Sequence, residues 1–372
     1  MGPIRVVSYN VLSSSLAAPS HFDSCDPSNL DSSVRLERVL KKLEPEIKKN
    51  SIICLQEVSM MWAGKLEHFF GNRDYRFVYH LYGGKRNGYM GVGIAFSRNE
   101  FVSEQVDIQC LADTHPGWPK PILRAGIVNA LSKGIDKVFA PAKPLWSVFR
   151  KVTGFKRPIE DWNNAKDRKN AVTFVRLKEK NASVNGKGEE FCIGTYHMPC
   201  AFRAPKVMAI HAALIKQYME SMSAGAPYVL AGDFNIKPVD DHGSESLYKL
   251  LTIGELAEDD PAYPTFPPRR KTNWSPVGGA PLYSAYALAT GCEPDFTNYA
   301  KTKADTEPFI GTLDYIFVSA RWWIVKEVSG LPTRDSVTDG PFPNANEPSD
   351  HIMIAATIEL HRNDTNSISG SA

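Results

Sequence analysis

The sequence predicts an α/β sandwich of mixed sheets, and three observations carry that expectation. Short apolar, β-branched runs recur along most of the chain, a few intervening stretches repeat their apolar residues at helical spacing, and the two kinds of segment alternate unevenly. A regular βαβ barrel would alternate them strictly. The 372 residues, 43% hydrophobic and 23% charged, suffice for a large buried core.

The strand-like runs are Ile4–Val11, Ile52–Val58, Tyr75–Tyr79, Val92–Phe96, Ala171–Leu177, Phe191–Tyr196, Tyr228–Ala231, Leu313–Val318 and Ile352–Leu360. Leu36, Val39, Leu40, Leu43 and Ile47 repeat at helical spacing behind Ser33, a capping candidate. Val207, Ile210, Leu214, Ile215 and Tyr218 do so after Pro205, which suits the first turn of a helix. One domain is expected over 1–362, followed at 363–372 by a polar tail expected to be disordered.

An insertion at about 115–170 breaks the rhythm with twelve Lys and Arg against four acids. Its rings, Trp118, Trp146, Phe149, Phe155 and Trp162, admit two readings. They stack bases beside phosphate-neutralising lysines, or they anchor the insertion to the core while the lysines stay solvated.

Charge and targeting narrow the function classes. The net charge of +2 makes the whole molecule no electrostatic magnet for nucleic acid, so any basic surface must be local. Six cysteines without CxxC spacing read as reduced thiols instead of zinc ligands or a disulfide framework. The start MGPIRVVSYNVLSS resembles no signal peptide, Pro3 and Val6 do not fit a myristoylation signal, and no window approaches ~20 apolar residues. A cytoplasmic or nuclear setting is the expectation.

Four carboxylates stand beside core-like strands: Glu57 in IICLQEV, Asp233 in YVLAGDFN, Asp314 in TLDYIFV, and Asp350 before HIMIAATIEL. Buried charge must be paired or bound to a cation, and carboxylate and amide oxygens are hard ligands suited to Mg²⁺. Asn10 in VVSYNVLS, Asn235 two residues after Asp233, His351 after Asp350, and His197 in IGTYHMP add neutral amides and imidazoles. Such groups orient water or a phosphate oxygen, or donate to oxygen charge that grows during phosphoryl transfer.

SYNVL, LQEV, TYHMP, GDFN, LDYIF and SDH stand in the order found in the endonuclease/exonuclease/phosphatase superfamily, which the chain therefore resembles from Ser8 to His351. The resemblance implies a four-layer α/β sandwich, DNase I-like, with two mixed sheets between helices and the site at one edge. It further implies that Glu57 binds the catalytic Mg²⁺ (or Mn²⁺), assisted by Asn10, with Asp350 serving the metal region. Asp233 would handle the proton of the attacking water, Asn235 would orient the phosphate, His351 would stabilise the pentavalent phosphate, and Asp314 would fix its tautomer. His197 would take part of the growing oxygen charge. Asn170, opening the strand AVTFVRL, resembles the site asparagine at the start of the equivalent strand in relatives.

DFTNYAKTKADTEPFIGTLDYIFVS resembles the branch of carbon catabolite repressor deadenylases, nocturnin, angel proteins and 2′-phosphodiesterase, and within it Asn298 would lie near the scissile phosphate or its sugar. The inositol phosphatase, membrane sphingomyelinase and abasic-site endonuclease branches fit less well. CAFRAPKVMAIHAAL after TYHMP and the long basic insertion depart from the deadenylase pattern and put the substrate in question. Docking through leucine-rich repeats finds no support, and no feature names a protein partner.

The expected activity is Mg²⁺-dependent hydrolysis of a phosphate ester in RNA or a nucleotide, foremost 3′-5′ trimming of poly(A) or oligoadenylate. The alternatives are a phosphatase acting on a 2′,3′-cyclic RNA end or an NADP(H)-like nucleotide, and an abasic-site type endonuclease. A non-catalytic binding module would lack a carboxylate or histidine of the set, and every position is filled.

Overall fold

The structure, a computed structural model, describes residues 2–119, 158–180, 189–238, 244–265, 274–276, 279–319 and 321–361. The first half runs β1 (Ile4–Asn10), α1 (Pro27–Leu30), α2 (Ser32–Lys48), β2 (Ile52–Val58), α3 (Met60–Gly71), β3 (Tyr75–Leu81), β4 (Gly91–Ser97) and β5 (Phe101–Cys110). After the insertion come α4 (Pro158–Lys166), β6 (Ala171–Glu179), β7 (Glu190–His197), α5 (Pro205–Ser223), β8 (Tyr228–Asp233) and α6 (Ser244–Thr252). The chain continues with β9 (Leu282–Ser284), α7 (Ala285–Thr290), β10 (Asn298–Ala300), β11 (Phe309–Gly311), β12 (Asp314–Ser319), β13 (Trp323–Val328) and β14 (Ile354–Leu360).

Two six-stranded sheets form, in the orders β13-β14-β1-β2-β4-β3 and β9-β12-β8-β7-β6-β5, with β10-β11 as a separate pair. Each is mixed in the same way: one central parallel pair, β1 with β2 or β7 with β8, lies among antiparallel neighbours. The period of two in the strands divides their apolar residues between layers. Val6, Ile52, Cys54, Val175, Ile193, Val229, Ala231, Ile316 and Ile354 meet between the sheets. The intervening residues face outward: Val7, Ile53 and Leu55 pack on Leu36, Val39 and Leu43 of α2 and Trp62 and Phe70 of α3. On the other side Tyr196, Leu230 and Phe317 pack on Val207, Ile210 and Leu214 of α5. The result is the expected helix–sheet–sheet–helix order.

Local details depart from expectation where polar groups decide. The cap of α2 is Asp31, not Ser33: its carboxylate accepts from the backbone N–H of Ser33 and Val34 at 2.9 and 3.0 Å. The edge strand β5 went unpredicted because Phe101 alone of its residues is buried and its sequence, FVSEQVDIQC, shows little apolar pattern. At the start of the insertion, Trp118 stacks on His115 at 4.2 Å between centroids, and Trp162 and Trp274 lie across the same His115. Trp118 and Trp162 thus join the packing around His115, while Trp146, Phe149, Phe155 and the tail, and with them the choice between the two readings of the insertion, lie outside the described residues. All six cysteines are free. Among the described residues no helix is long and apolar enough to cross a membrane.

Candidate active site

The alternation that fills the space between the sheets also builds the site. Beyond Ile4 and Val6, the same face of β1 carries Ser8 and Asn10; beyond Val229 and Ala231, β8 ends on Asp233; beyond Ile193, β7 carries Thr195 and His197. Asp314 opens the same face of β12 ahead of Ile316. Register then aligns the polar ends, because His197 and Asp314 both stand opposite Asp233. Gly232 permits this pairing, since a Cβ there would fall 1.9 Å from the Tyr196 carbonyl oxygen.

Two site residues leave the strand pattern. Simple alternation would turn Glu57 outward with Ile53 and Leu55, but β2 shifts register against β4 between Gln56 and Val58, and Glu57 takes a left-handed φ of 59°. Its carboxylate thereby meets Asn10 Nδ2 at 3.3 Å and the Ser13 N–H at 2.9 Å. His351 precedes β14 and pairs in an isolated bridge with Asn298 of β10. That bridge sets the FTNY segment beside the histidine, with the Tyr299 N–H bonded to the Asp350 carbonyl at 2.9 Å.

The buried centre spans both sheets. Asp233, 1% exposed, accepts from Asn10 Nδ2 at 3.0 Å through Oδ2 and from the Asn235 N–H at 2.9 Å through Oδ1. His197 Nε2 and His351 Nε2 lie 3.4 and 3.7 Å from the same Oδ2. His351 Nδ1 donates to Asp314 Oδ2 at 2.8 Å, so Nε2 is the nitrogen turned toward Asp233. Burial raises the Asp233 carboxyl above the usual range, with His351 and His197 opposing. Burial disfavours the imidazolium of His351, but Asp314, Asp350 and Asp233 together outweigh it and hold the ring's pKa well above the ordinary histidine value.

The sequence matches the Endonuclease/Exonuclease/phosphatase family over residues 7–351. The chain belongs to that family. It is 25% identical over 389 residues to Carbon catabolite repressor protein 4 homolog 1 of Arabidopsis thaliana, covering 96% of this chain and 57% of the relative. It is 27% identical over 394 residues to the CCR4-Not complex 3′-5′-exoribonuclease subunit Ccr4 of Emericella nidulans, covering 96% and 52%. Human 2′,5′-phosphodiesterase 12 matches at 29% over 154 residues, 41% of this chain and 22% of the relative. The chain thus spans between about a quarter and three fifths of these curated relatives. Among solved structures, ANGEL2, a 2′,3′-cyclic phosphatase, in complex with adenosine-2′,3′-vanadate superposes with a TM-score of 0.66 at 18% identity, covering 96% of both chains. The human Nocturnin catalytic domain gives 0.56 at 17%, covering 96% and 94%. These structural likenesses extend the shared fold over nearly the whole chain.

Members of this endonuclease/exonuclease/phosphatase family generally depend on a divalent metal, and two groupings offer donors. Asp233, Asp314 and His351 place ligand-type atoms within 4.8 Å of one another. Their atoms are largely engaged, since Asp314 Oδ2 accepts from both His351 Nδ1 and Thr297 Oγ1. The second grouping is of carboxylates: burial and then the charge of Glu57 raise the Asp350 carboxyl, while Asn10 turns Nδ2 toward Glu57 and accepts from the Leu12 N–H through Oδ1. Two carboxylates that repel each other are what a divalent cation relieves.

The remaining sequence-derived candidates support the turn after β7. Asn170 Nδ2 donates to the His197 carbonyl at 2.8 Å, and Asn235 Nδ2 to the Met198 carbonyl at 2.9 Å. Sequence reasoning passed over Thr297, whose hydroxyl donates to Asp314 Oδ2 at 2.6 Å and accepts from the Asp314 N–H at 3.0 Å. It also passed over Ser349, which bonds the Asn10 carbonyl at 2.6 Å. Tyr82 was missed as well: burial followed by the charges of Glu57 and Asp233 pushes the ionisation of its hydroxyl upward, with Asn170 opposing. Thr297 and Ser349 stand inside the quoted motifs FTNY and SDH, which is the signal that could have found them.

Proposed function

We propose that this chain is a Mg²⁺-dependent phosphoesterase that hydrolyses phosphate esters of RNA or nucleotides by in-line attack of water, with 3′-terminal adenylates as its preferred substrate. The observation that carries the reading is the imidazole of His351, held by Asp314 on one nitrogen and facing the Asp233 carboxylate with the other. Asp233 accepts the proton of the attacking water, and Asn10 keeps its Oδ2 in place. His351, as imidazolium, donates through Nε2 to oxygen charge developing on the phosphate, and His197 reaches the same region. Asn170 and Asn235 hold the His197–Met198 backbone, while Asn298 lies beside His351 at the sugar side of the substrate. Glu57 and Asp350 would hold the Mg²⁺, with Asn10 assisting by donating to Glu57 beside it, and the ion would supply charge neutralisation for the phosphate when bound. The likeness to 3′-5′-exoribonuclease subunits over 95–96% of this chain supports the 3′-5′ trimming reading.

A single panel tests it. Purified protein with Mg²⁺ is offered labelled oligo(A), oligo(U), 2′,5′-oligoadenylate, NADPH and an RNA ending in a 2′,3′-cyclic phosphate, with EDTA and Asp233→Asn as controls. A ladder of shortened oligo(A), lost in both controls, is the expected result. Release of one phosphate without shortening would replace the nuclease reading with a phosphatase on the same site, and near-normal turnover by Asp233→Asn would overturn the mechanism.

A further inference from the structure

The segment that delivers Asp350 and His351 is gripped by one face of α2. Arg38 Nη1 donates to the Asn344 carbonyl at 3.1 Å, Lys42 Nζ to Glu347 Oε2 at 2.5 Å, and Arg35 Nε to the Pro348 carbonyl at 2.6 Å. Positions 35, 38 and 42 share a helical face by spacing. Arg35 goes further than its neighbours, because its Nη2 also donates to the carbonyls of Val11 and Leu12, both at 2.7 Å. Those residues follow Asn10 and precede Ser13, whose N–H holds Glu57. One guanidinium therefore ties the loop that follows Asn10 to the loop ending in Asp350 and His351.

The side chain is fully buried, with its charged end 5.0 Å from the centre of the Trp62 ring. Burial lowers its pKa to about 10, against the opposing influence of Asp350, Tyr9 and Glu57. A buried cation costs more than an apolar side chain of similar volume, so stability alone gives no reason for an arginine here. Its planar fork, by contrast, reaches three carbonyls on two loops at once, which a lysine ammonium cannot reproduce.

We propose that Arg35 is a positioning residue for the hydrolysis assigned above: it locks the Val11–Leu12 backbone to Pro348, so that Asn10 and His351 keep their places about Asp233. The inference rests on the hydrolase reading of the site, and the test separates the two. Arg35→Lys retains charge without the fork, and Arg35→Met retains bulk without donors. Each is made alone and combined with His351→Ala, and cleavage of labelled oligo(A) is followed in single-turnover and steady-state assays at a temperature where circular dichroism shows every protein folded.

Arg35→Lys should lower kcat by roughly 30-fold or more with KM within about threefold, and in the His351→Ala background should change the residual rate by less than about threefold. Equal fold-losses in both backgrounds would mean ordinary destabilisation and would overturn the proposal. If Arg35→Met does not fold, the lysine pair carries the comparison. Wild-type protein inert on every phosphate ester of the panel would overturn the reading of the site itself, whereas an active wild type with equal losses would overturn the role of Arg35 alone.

Discussion

At the residue scale the centre depends on one oxygen. Asp314 Oδ2 accepts from Thr297 Oγ1 at 2.6 Å and from His351 Nδ1 at 2.8 Å, while the buried Oδ1 has no partner among the described residues. Asp314→Asn keeps the shape but offers His351 an amide, which weakens both the tautomer and the imidazolium. We expect kcat to fall by about 10²–10⁴-fold with KM little changed, measured against the preferred ester, by analogy with loss of the carboxylate from other Asp–His pairs. Thr297→Val leaves the N–H groups of Leu313 and Asp314 without the hydroxyl that accepts from them. It should cost about 1–3 kcal/mol in denaturant unfolding, and a loss below 0.5 kcal/mol would contradict the accounting. The meeting of Asn10, Glu57, Asp233, His197, Asp314 and His351 at one edge was legible because each stands at or beside one end of a strand-like run, in a known order. Thr297 was signalled only by its place in FTNY and Arg35 not at all, because a side chain that serves another side chain or a carbonyl leaves no periodic trace in a sequence.

At the element scale the decisive feature is the bulge in β2. The run IICLQEV announced a buried strand, but nothing in its pattern told that the last carboxylate would be turned inward by a left-handed residue. The same applies to β10, only three residues long, whose pairing with His351 decides where FTNY lies. Strands with a strong apolar period and the long helices α2 and α5 were found, whereas the edge strand β5 and short β9 were hidden by exposure or brevity. Because Glu57 raises Asp350, neutralising it relieves a repulsion. Glu57→Gln should therefore unfold no earlier than wild type in EDTA while losing at least about 100-fold of its activity in excess Mg²⁺, a stability–activity opposition. Thermal melts and initial rates on the same preparations check it, and a clear drop in Tm would argue against charge strain at this position.

At the scale of the whole molecule, two buried histidines away from the site set an acid limit. His211 donates through Nε2 to the Ala165 carbonyl at 2.9 Å and accepts the Tyr196 hydroxyl at 2.8 Å, which is the neutral ring's arrangement. Burial lowers both His211 and His115 to about 4. A folded pKa below the unfolded value of about 6.5 means stability fully present above 6.5 and lost as pH falls toward 4. Urea unfolding at steps from pH 7 to 4.5 should show this decline, and His211→Gln should flatten it. Trp162, 1% exposed among His115, Trp118 and Trp274, should lose about 3–5 kcal/mol on truncation to alanine. The sandwich itself was readable because its layers follow from strand alternation. The joining of the two sheets has a further consequence. Asn10 to Asp233 at 3.0 Å and Gln56 to Thr195 at 3.0 Å cross from one sheet to the other, and His351, just before β14, reaches Asp314 of β12 at 2.8 Å. The proposed centre is thus a gauge of how the two halves are seated: a slip of an ångström along the seam would part Asn10 from Asp233 long before the molecule came apart, so turnover is expected to register misfit in the core that melting temperature overlooks.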